Sequence, residues 1–333
     1  MKISVIGAGS WGTALANLLV KNNHEVLVYD VDESIIEEIN TKHTNFSKLK
    51  DGILEEGVVA TNNLKSVLEF SNIIVLSVPT KVLRIVLNNI KSIITSKKIF
   101  VNTSKGIEPD TCLRISEVVS EVLTNEYIEA FVTLTGPSHA EEVILSLPTL
   151  VTSVSNNIEA AKLIQSIFSN DFNFRVYTST DLLGAELGGS LKNIYAIASG
   201  MLTGVGYGDN ARAALITRAL VEMQRLAISL GASEKTLLGL SGVGDLIVTT
   251  TSHHSRNFQA GYAIAKGKNL KEAVNSIPMV VEGARTTLSA YQMARKQNVE
   301  TPIIDAVYAV IYEEKDVSET INDLMKRSLK DEF

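Results

Sequence analysis

Three glycines in the run Gly7-Ala8-Gly9-Ser10-Trp11-Gly12 suit a backbone that must turn tightly against an anionic ligand. The run follows an apolar stretch at Ile3–Ile6 and opens a helical period at Ser10, so a strand end, a turn and a helix start coincide. Glycine admits the turn and the close approach of a pyrophosphate, and the helix N-terminus offers it partial positive charge. Gly7, Gly9, Ser10, Trp11 and Gly12 are therefore candidate contacts for a dinucleotide, against the plainer alternative of a Gly-rich turn. Asp30 closes a second strand roughly 20 residues after the middle glycine, where a carboxylate accepts hydrogen bonds from the ribose hydroxyls of NAD and repels the 2′-phosphate of NADP. A solvated turn carboxylate, with Asp32 and Glu33 beside it, is the competing reading.

A second concentration of chemistry lies in Glu186-Leu187-Gly188-Gly189-Ser190-Leu191-Lys192-Asn193. Leu187, Leu191, Ile194 and Ala198 form the buried stripe of a helix. Lys192 is flanked at helical spacing by Gly188, Gly189 and Ala196, which leaves room for a ligand beside the ammonium. Two glycines in mid-helix cost about 1 kcal/mol each relative to alanine, so they ask for a reason. A generic surface lysine is the rival. Further on, Thr249-Thr250-Thr251-Ser252-His253-His254-Ser255-Arg256-Asn257 leads into a helix near Phe258, and hydroxyls, a guanidinium and helix-start amides suit a phosphate. Gly242-Val243-Gly244-Asp245 places a carboxylate on a turn within reach. Tyr262 and Lys266 match the Y-x-x-x-K spacing of short-chain dehydrogenases, but they fall in the wrong half of the chain and read as an ordinary helix pair.

The elements that must position these residues follow from periodicity. Short β-branched runs at Ile3–Ile6, Val26–Tyr29, Ile73–Val78, Ile99–Asn102, Phe131–Leu134 and Leu150–Ser153 alternate with helical stretches at Ser10–Val20, Val82–Ile90 and Cys112–Leu123. That alternation predicts an α/β fold, a Rossmann-type doubly wound parallel sheet over residues 1–180. Beyond 180 the pattern is helical at Leu183–Leu202, Ala211–Leu230, Phe258–Lys266, Thr286–Lys296 and Pro302–Tyr312, which predicts an all-α substrate-binding domain over 181–333. Asn210 is read as an N-cap and Gly231 as a helix stop. Ligands of an open parallel sheet sit beyond the strands' carboxyl ends. The glycine loop, Asp30, Ser77-Val78-Pro79, Ser104-Lys105-Gly106 and Gly136-Pro137-Ser138 should therefore share one edge, with Lys105 as its cation.

Composition narrows the class. Of 333 residues, 45% are hydrophobic and 20% charged, enough for a sizeable core, and a net charge of −6 argues against nucleic acid as partner. A single cysteine, Cys112, excludes an internal disulfide and fits a reducing compartment. The five histidines offer no metal cluster, His253-His254 pointing apart on any regular element. No run approaches the roughly 20 apolar residues of a membrane span. The expectation is a cytoplasmic enzyme with no metal.

Together the segments resemble the bacterial type of NAD(P)-dependent glycerol-3-phosphate dehydrogenase over nearly the whole chain. The likeness rests on Gly7–Gly12, Asn102-Thr103-Ser104-Lys105-Gly106, Gly136-Pro137-Ser138 with Ala140-Glu141-Glu142-Val143, and Glu186–Gly189 through Lys192-Asn193. It continues through Asn210-Ala211 with Ala214–Arg218, Gly242–Leu246, Ser255-Arg256-Asn257 and Val281-Glu282-Gly283. The resemblance implies a C-terminal domain of the 6-phosphogluconate dehydrogenase C-terminal-like kind, a homodimer, and interconversion of dihydroxyacetone phosphate and sn-glycerol 3-phosphate for phospholipid synthesis. It implies cofactor contacts from Ser10, Trp11, Lys105, Ala140, Arg256, Val280 and Glu282. The substrate would meet Lys105, Gly136, Ser138, Lys192, Asp245, Ser255, Arg256 and Asn257, with Lys192 the proton acceptor. Two departures touch the adenosine end. Asp30-Val31 stands where the family commonly has an arginine, and Lys48 where it often has an aromatic. NAD(H) is therefore the favoured cofactor, with NADP(H) admitted. Another phosphorylated-hydroxyacid dehydrogenase of the same build is the enzymatic alternative, and a silent NAD sensor the non-enzymatic one. A sensor would have no need for Lys192, Asp245 and Arg256 together.

Overall fold

The computed structural model describes residues 1–108, 111–277, 280–329 and 331–332. The chain divides into two compact units, residues 1–105 with 113–186, and residues 106–112 with 187–333. The division thus falls a few residues beyond 180, and a short excursion after Lys105 belongs to the helical unit.

The first unit holds strands β1 (Lys2–Ile6), β2 (Glu25–Tyr29), β3 (Thr44–Asn45), β4 (Leu49–Ile53), β5 (Val58–Thr61), β6 (Ile73–Leu76), β7 (Lys98–Asn102), β8 (Ile128–Thr135), β9 (Thr149–Val154) and β10 (Phe174–Ser179). Between them run α1 (Ser10–Lys21), α2 (Glu33–Lys42), α3 (Leu64–Phe70), α4 (Thr80–Lys91), α5 (Ile115–Tyr127), α6 (Ala140–Ile144) and α7 (Ile158–Phe168). Eight strands form one sheet in the order β10-β9-β8-β7-β6-β1-β2-β5, and β3 and β4 make a separate antiparallel hairpin. Side chains alternate across a strand, and here the alternation sorts them to two cores. Ile3, Val5, Ile73, Val75, Ile99 and Val101 pack with α1 and α7 on one face. Ile6, Ile74, Leu76 and Phe100 pack with α4 and α5 on the other. Burial on both faces explains why these strands read as nearly unbroken apolar runs.

The expected sheet gains the edge strands β5 and β10 and is corrected in direction. β8 and β9 pair antiparallel through Thr133↔Val154, Leu134↔Ser153 and Thr135↔Thr152. A parallel neighbour needs a crossover of about a dozen residues or more. The link between these two strands, residues 136–148, reaches that length but holds only the five-residue α6, a helix too short to carry the chain back along the length of a strand, and the chain returns in the opposite sense.

The second unit contains most of α8 (Leu182–Val205), then α9 (Asp209–Ser229), α10 (Glu234–Leu237), a π-helical turn at Leu240–Gly244, α11 (Asp245–Thr251), α12 (Arg256–Ala265), α13 (Leu270–Asn275), α14 (Glu282–Gln297), α15 (Pro302–Tyr312) and α16 (Val317–Met325). Gly231 ends α9 as expected, with φ +101°. Asn210 is not its N-cap. Gly208 holds that position, and Asn210 lies inside the first turn. Lys266 sits over the Tyr262 ring at 5.5 Å, a packing contact of neighbouring turns.

Glu222 of α9 caps α15. Its two carboxyl oxygens accept from Ile303 N (2.8 Å) and Ile304 N (2.9 Å), with the Tyr195 hydroxyl at 3.4 Å. Burial is the main force on this group, and it pushes the carboxyl up to about 7. The folded state therefore holds the proton more tightly than the unfolded chain does. Stability from this residue is fully present below the ordinary carboxyl range and is lost as pH rises through about 7, on the order of 3 kcal/mol. Urea midpoints measured from pH 4.5 to 8 should fall along that slope in the wild type, and Glu222→Gln should flatten it. An identical slope in the variant would assign the effect to another group.

Candidate active site

The glycine loop grows out of the β1 carboxyl end. Gly7 N donates to Tyr29 O at 2.8 Å, and a Cβ on Gly12 would lie 1.9 Å from Gly7 O, so only glycine lets α1 start there. Gly9 caps α1, and nothing lies within 4 Å of where its Cβ would be. That space at a helix N-terminus fits a pyrophosphate. Ser10 begins α1 and is buried, while Trp11 packs partly against the core.

Asp30 is committed to the backbone around it. Its Oδ2 accepts from Ala8 N at 2.7 Å, and its Oδ1 from Val31 N at 2.8 Å and Asp32 N at 3.1 Å. The carboxylate braces the glycine loop and has a fixed orientation. At the same sheet edge, Gly136 O accepts from Lys105 Nζ (2.8 Å) and from Ser138 Oγ (2.9 Å), which draws three predicted residues together. Ala140 opens α6 just beyond.

In the second unit Lys192 is not on an open face. It is 6% exposed, and its ammonium donates to Asp245 Oδ1 and to Thr249 Oγ1 (2.7 Å), with Asp245 fully buried. The generic surface lysine is excluded, and the expected room around Gly188 is corrected too. A Cβ on Gly188 would lie 2.4 Å from Ser241 O, so the glycine admits the π-helical turn against α8. Lys192 follows Gly188 by four residues, and Asp245 follows Ser241 by four. Close backbone approach at the first pair delivers the second pair to each other. Thr249 repeats the same face of α11 as Asp245, and its Oγ1 donates to Asp245 O at 2.6 Å.

Ser255 caps α12, its Oγ accepting from Phe258 N at 3.3 Å, and Arg256 is the first helical residue. The helix starts two residues earlier than its apolar pattern suggests. Asn257 is buried and committed internally: its Nδ2 donates to Asn193 Oδ1 (2.9 Å), and its Oδ1 accepts from Gly283 N (2.9 Å). Glu282 begins α14, with Val280 partly exposed two residues before it. Thr249 as a lysine partner and Asn193 as the link to Asn257 went unread in the sequence. The available signals were the i, i+4 spacing of Asp245 and Thr249 and the adjacency of Lys192 and Asn193.

A dinucleotide loop on a doubly wound sheet and a helical unit with a buried lysine–carboxylate pair define a nicotinamide-dependent dehydrogenase. The family model described as "NAD-dependent glycerol-3-phosphate dehydrogenase N-terminus" matches residues 2–161, and the corresponding C-terminus model matches 181–322. The chain belongs to the NAD-dependent glycerol-3-phosphate dehydrogenase family. It is 48% identical over 331 residues, 99% of both chains, to the NAD(P)+ glycerol-3-phosphate dehydrogenase of Staphylococcus haemolyticus (strain JCSC1435). The Staphylococcus aureus (strain USA300 / TCH1516) counterpart is 47% identical over the same span. Among solved structures, glycerol-3-phosphate dehydrogenase from Coxiella burnetii superposes with TM-score 0.92 at 35% identity, covering 98% of this chain and 99% of that one. Among the described residues, no helix is long and apolar enough to cross a membrane, and no group of three His, Cys, Asp or Glu could hold a metal ion.

Proposed function

We propose that the protein reversibly reduces dihydroxyacetone phosphate to sn-glycerol 3-phosphate, with residues 1–180 as the dinucleotide-binding domain and 181–333 as the substrate domain. The buried Lys192–Asp245–Thr249 cluster carries this reading. The nicotinamide, when bound, supplies the hydride to the carbonyl carbon. Lys192 Nζ gives the proton to the forming alkoxide and takes it back in the reverse direction, and solvent replaces it. Asp245 and Thr249 hold the ammonium in place, an orienting task that their hydrogen bonds support. Arg256, Ser255 and the first amides of α12 hold the phosphate, and Asn257 secures that helix start to Asn193. Lys105, Gly136 and Ser138 contribute from the first domain. The product serves phospholipid synthesis, and cytoplasm is the compartment that fits a single-cysteine chain.

Addition of dihydroxyacetone phosphate to purified protein with NADH should trigger NADH oxidation. Dihydroxyacetone should do so with a kcat/KM lower by roughly a hundredfold or more, since each charge-assisted hydrogen bond to phosphate is worth about 1.5–3 kcal/mol. Comparable values for the two would remove the role of Ser255–Asn257.

NADH should be the better cofactor by roughly tenfold, because the braced Asp30 carboxylate cannot turn away from a 2′-phosphate. Lys48 lies close enough to act on Asp32, which keeps NADP(H) admissible. A preference for NADPH in wild-type kcat/KM would reverse the assignment.

We also infer a homodimer. Leu215 of α9, with Pro302 and Val307 of α15 and Ile321 of α16, lines an apolar cavity of 990 Å³ within the second unit. Residues 209–218 of α9 are all partly or fully exposed, so a partner covering them would complete a helix left half-packed. Light scattering should return twice the chain mass; the monomer mass would refute this.

A further inference from the structure

The tip of the β3–β4 hairpin carries an aromatic ring that the protein does not bury. Phe46 is 61% exposed, at the first position of a three-residue turn closed by Lys48 N donating to Asn45 O at 3.0 Å. Isolated exposed hydrophobics are ordinary. This one differs in how firmly its backbone is fastened, and to what. Asn45 is fully buried, and its Nδ2 donates to Ala8 O (2.8 Å) and Thr13 Oγ1 (2.9 Å). Glu38 of α2 accepts from Phe46 N and from Thr44 Oγ1, both at 2.7 Å. Ala8 also donates its N–H to Asp30. One residue of the glycine loop is therefore bonded on one side to the ribose carboxylate and on the other to the hairpin tip.

A second observation places the same tip. The Asp32 carboxyl is held below its usual range, chiefly by hydrogen bonds from Ser34, and the Lys48 ammonium adds to that effect. Lys48 is the far shoulder of the turn that Phe46 opens, and Asn45 and Asp30 bond to the two sides of Ala8, so the tip lies near the segment 30–32 that follows β2. The adenosine half of a dinucleotide rests at that edge of the sheet. Val31, 78% exposed, offers further apolar surface there.

We propose that Phe46 is the residue on which the adenine of the cofactor stacks. The inference rests on the NAD(H) reading above. A flat purine covering a phenyl ring accounts for an exposed aromatic on a tip tied down by four hydrogen bonds from Asn45 and to Glu38. Stacking of a base on an aromatic side chain is worth roughly five- to a hundredfold in affinity.

The test is calorimetric titration of NADH, ADP-ribose and nicotinamide mononucleotide into the wild type, Phe46→Ala and Phe46→Tyr. Phe46→Ala should weaken NADH and ADP-ribose by about five- to a hundredfold and leave nicotinamide mononucleotide unchanged. Phe46→Tyr should restore both, and all three proteins should share one melting temperature. A Phe46→Trp variant should show its added emission quenched by ADP-ribose. Unchanged ADP-ribose and NADH affinity in Phe46→Ala overturns the stacking role and leaves the NAD(H) reading standing. A wild type that binds neither ligand overturns both.

Discussion

Lys192→Met is expected to lower kcat by roughly 10²–10⁴, the usual worth of a positioned proton donor, while NADH affinity barely changes. Methionine keeps the length of the side chain and removes its proton. The structure adds a consequence for stability. Lys192 and Asp245 are both buried and bonded to each other, so the single variant strands a carboxylate away from water. Breaking a buried pair from one side costs about 3–5 kcal/mol, and the melting temperature should drop. The double variant Lys192→Met/Asp245→Asn removes both charges and should recover most of that loss without recovering kcat. A slow but restabilised double variant separates chemistry from folding. A kcat near the wild-type value in either protein would sink the proton-transfer role.

What was legible in the sequence had a local physical cause. The glycine loop, the six central strands and helix α15, whose bounds Pro302–Tyr312 match the reading, all depend on periodicity or on single residues with strong conformational demands. The antiparallel β8–β9 pair was not legible, because alternation of strand and helix says nothing of direction when the intervening helix is only one turn long. The hairpin β3–β4 was missed because Leu49-Lys50-Asp51-Gly52-Ile53 lacks a β-branched run. It is held by Asn45 and Glu38 reaching elements distant in sequence.

The candidate site divides along the same line. The residue types of Lys192, Asp245 and Arg256 could be read, but their surroundings could not. Two mid-helix glycines were expected to leave room for a ligand, whereas Gly188 is filled by the backbone of Ser241. Sequence spacing cannot distinguish space kept for substrate from space taken by a packed turn, since both demand the same missing Cβ. Likewise Asn257, expected to face substrate, directs its amide to Asn193 and Gly283. A polar residue beside a binding motif is equally suited to touch the ligand or to hold the residue that does.

Arg256→Ala is expected to raise the KM for dihydroxyacetone phosphate strongly, approaching a thousandfold if the guanidinium binds the phosphate through two charge-assisted hydrogen bonds at about 1.5–3 kcal/mol each. The position of this arginine makes the variant informative about folding as well. Arg256 is the first residue of α12, immediately after the Ser255 cap, and the first turn contains no acidic residue. A cation at a helix N-terminus opposes the macrodipole, which favours negative charge there by about 0.3–1 kcal/mol. Local helix physics alone would select against arginine at this site. A bound phosphate inverts that balance, since it presents negative charge to the helix start and to the guanidinium together. The variant should therefore lose substrate affinity. It should also lose the thermal stabilisation that glycerol 3-phosphate gives the wild type. An unchanged KM would move the phosphate away from α12, most directly to Lys105. A KM increase accompanied by a large drop in the ligand-free melting temperature would instead make Arg256 a structural support of the helix.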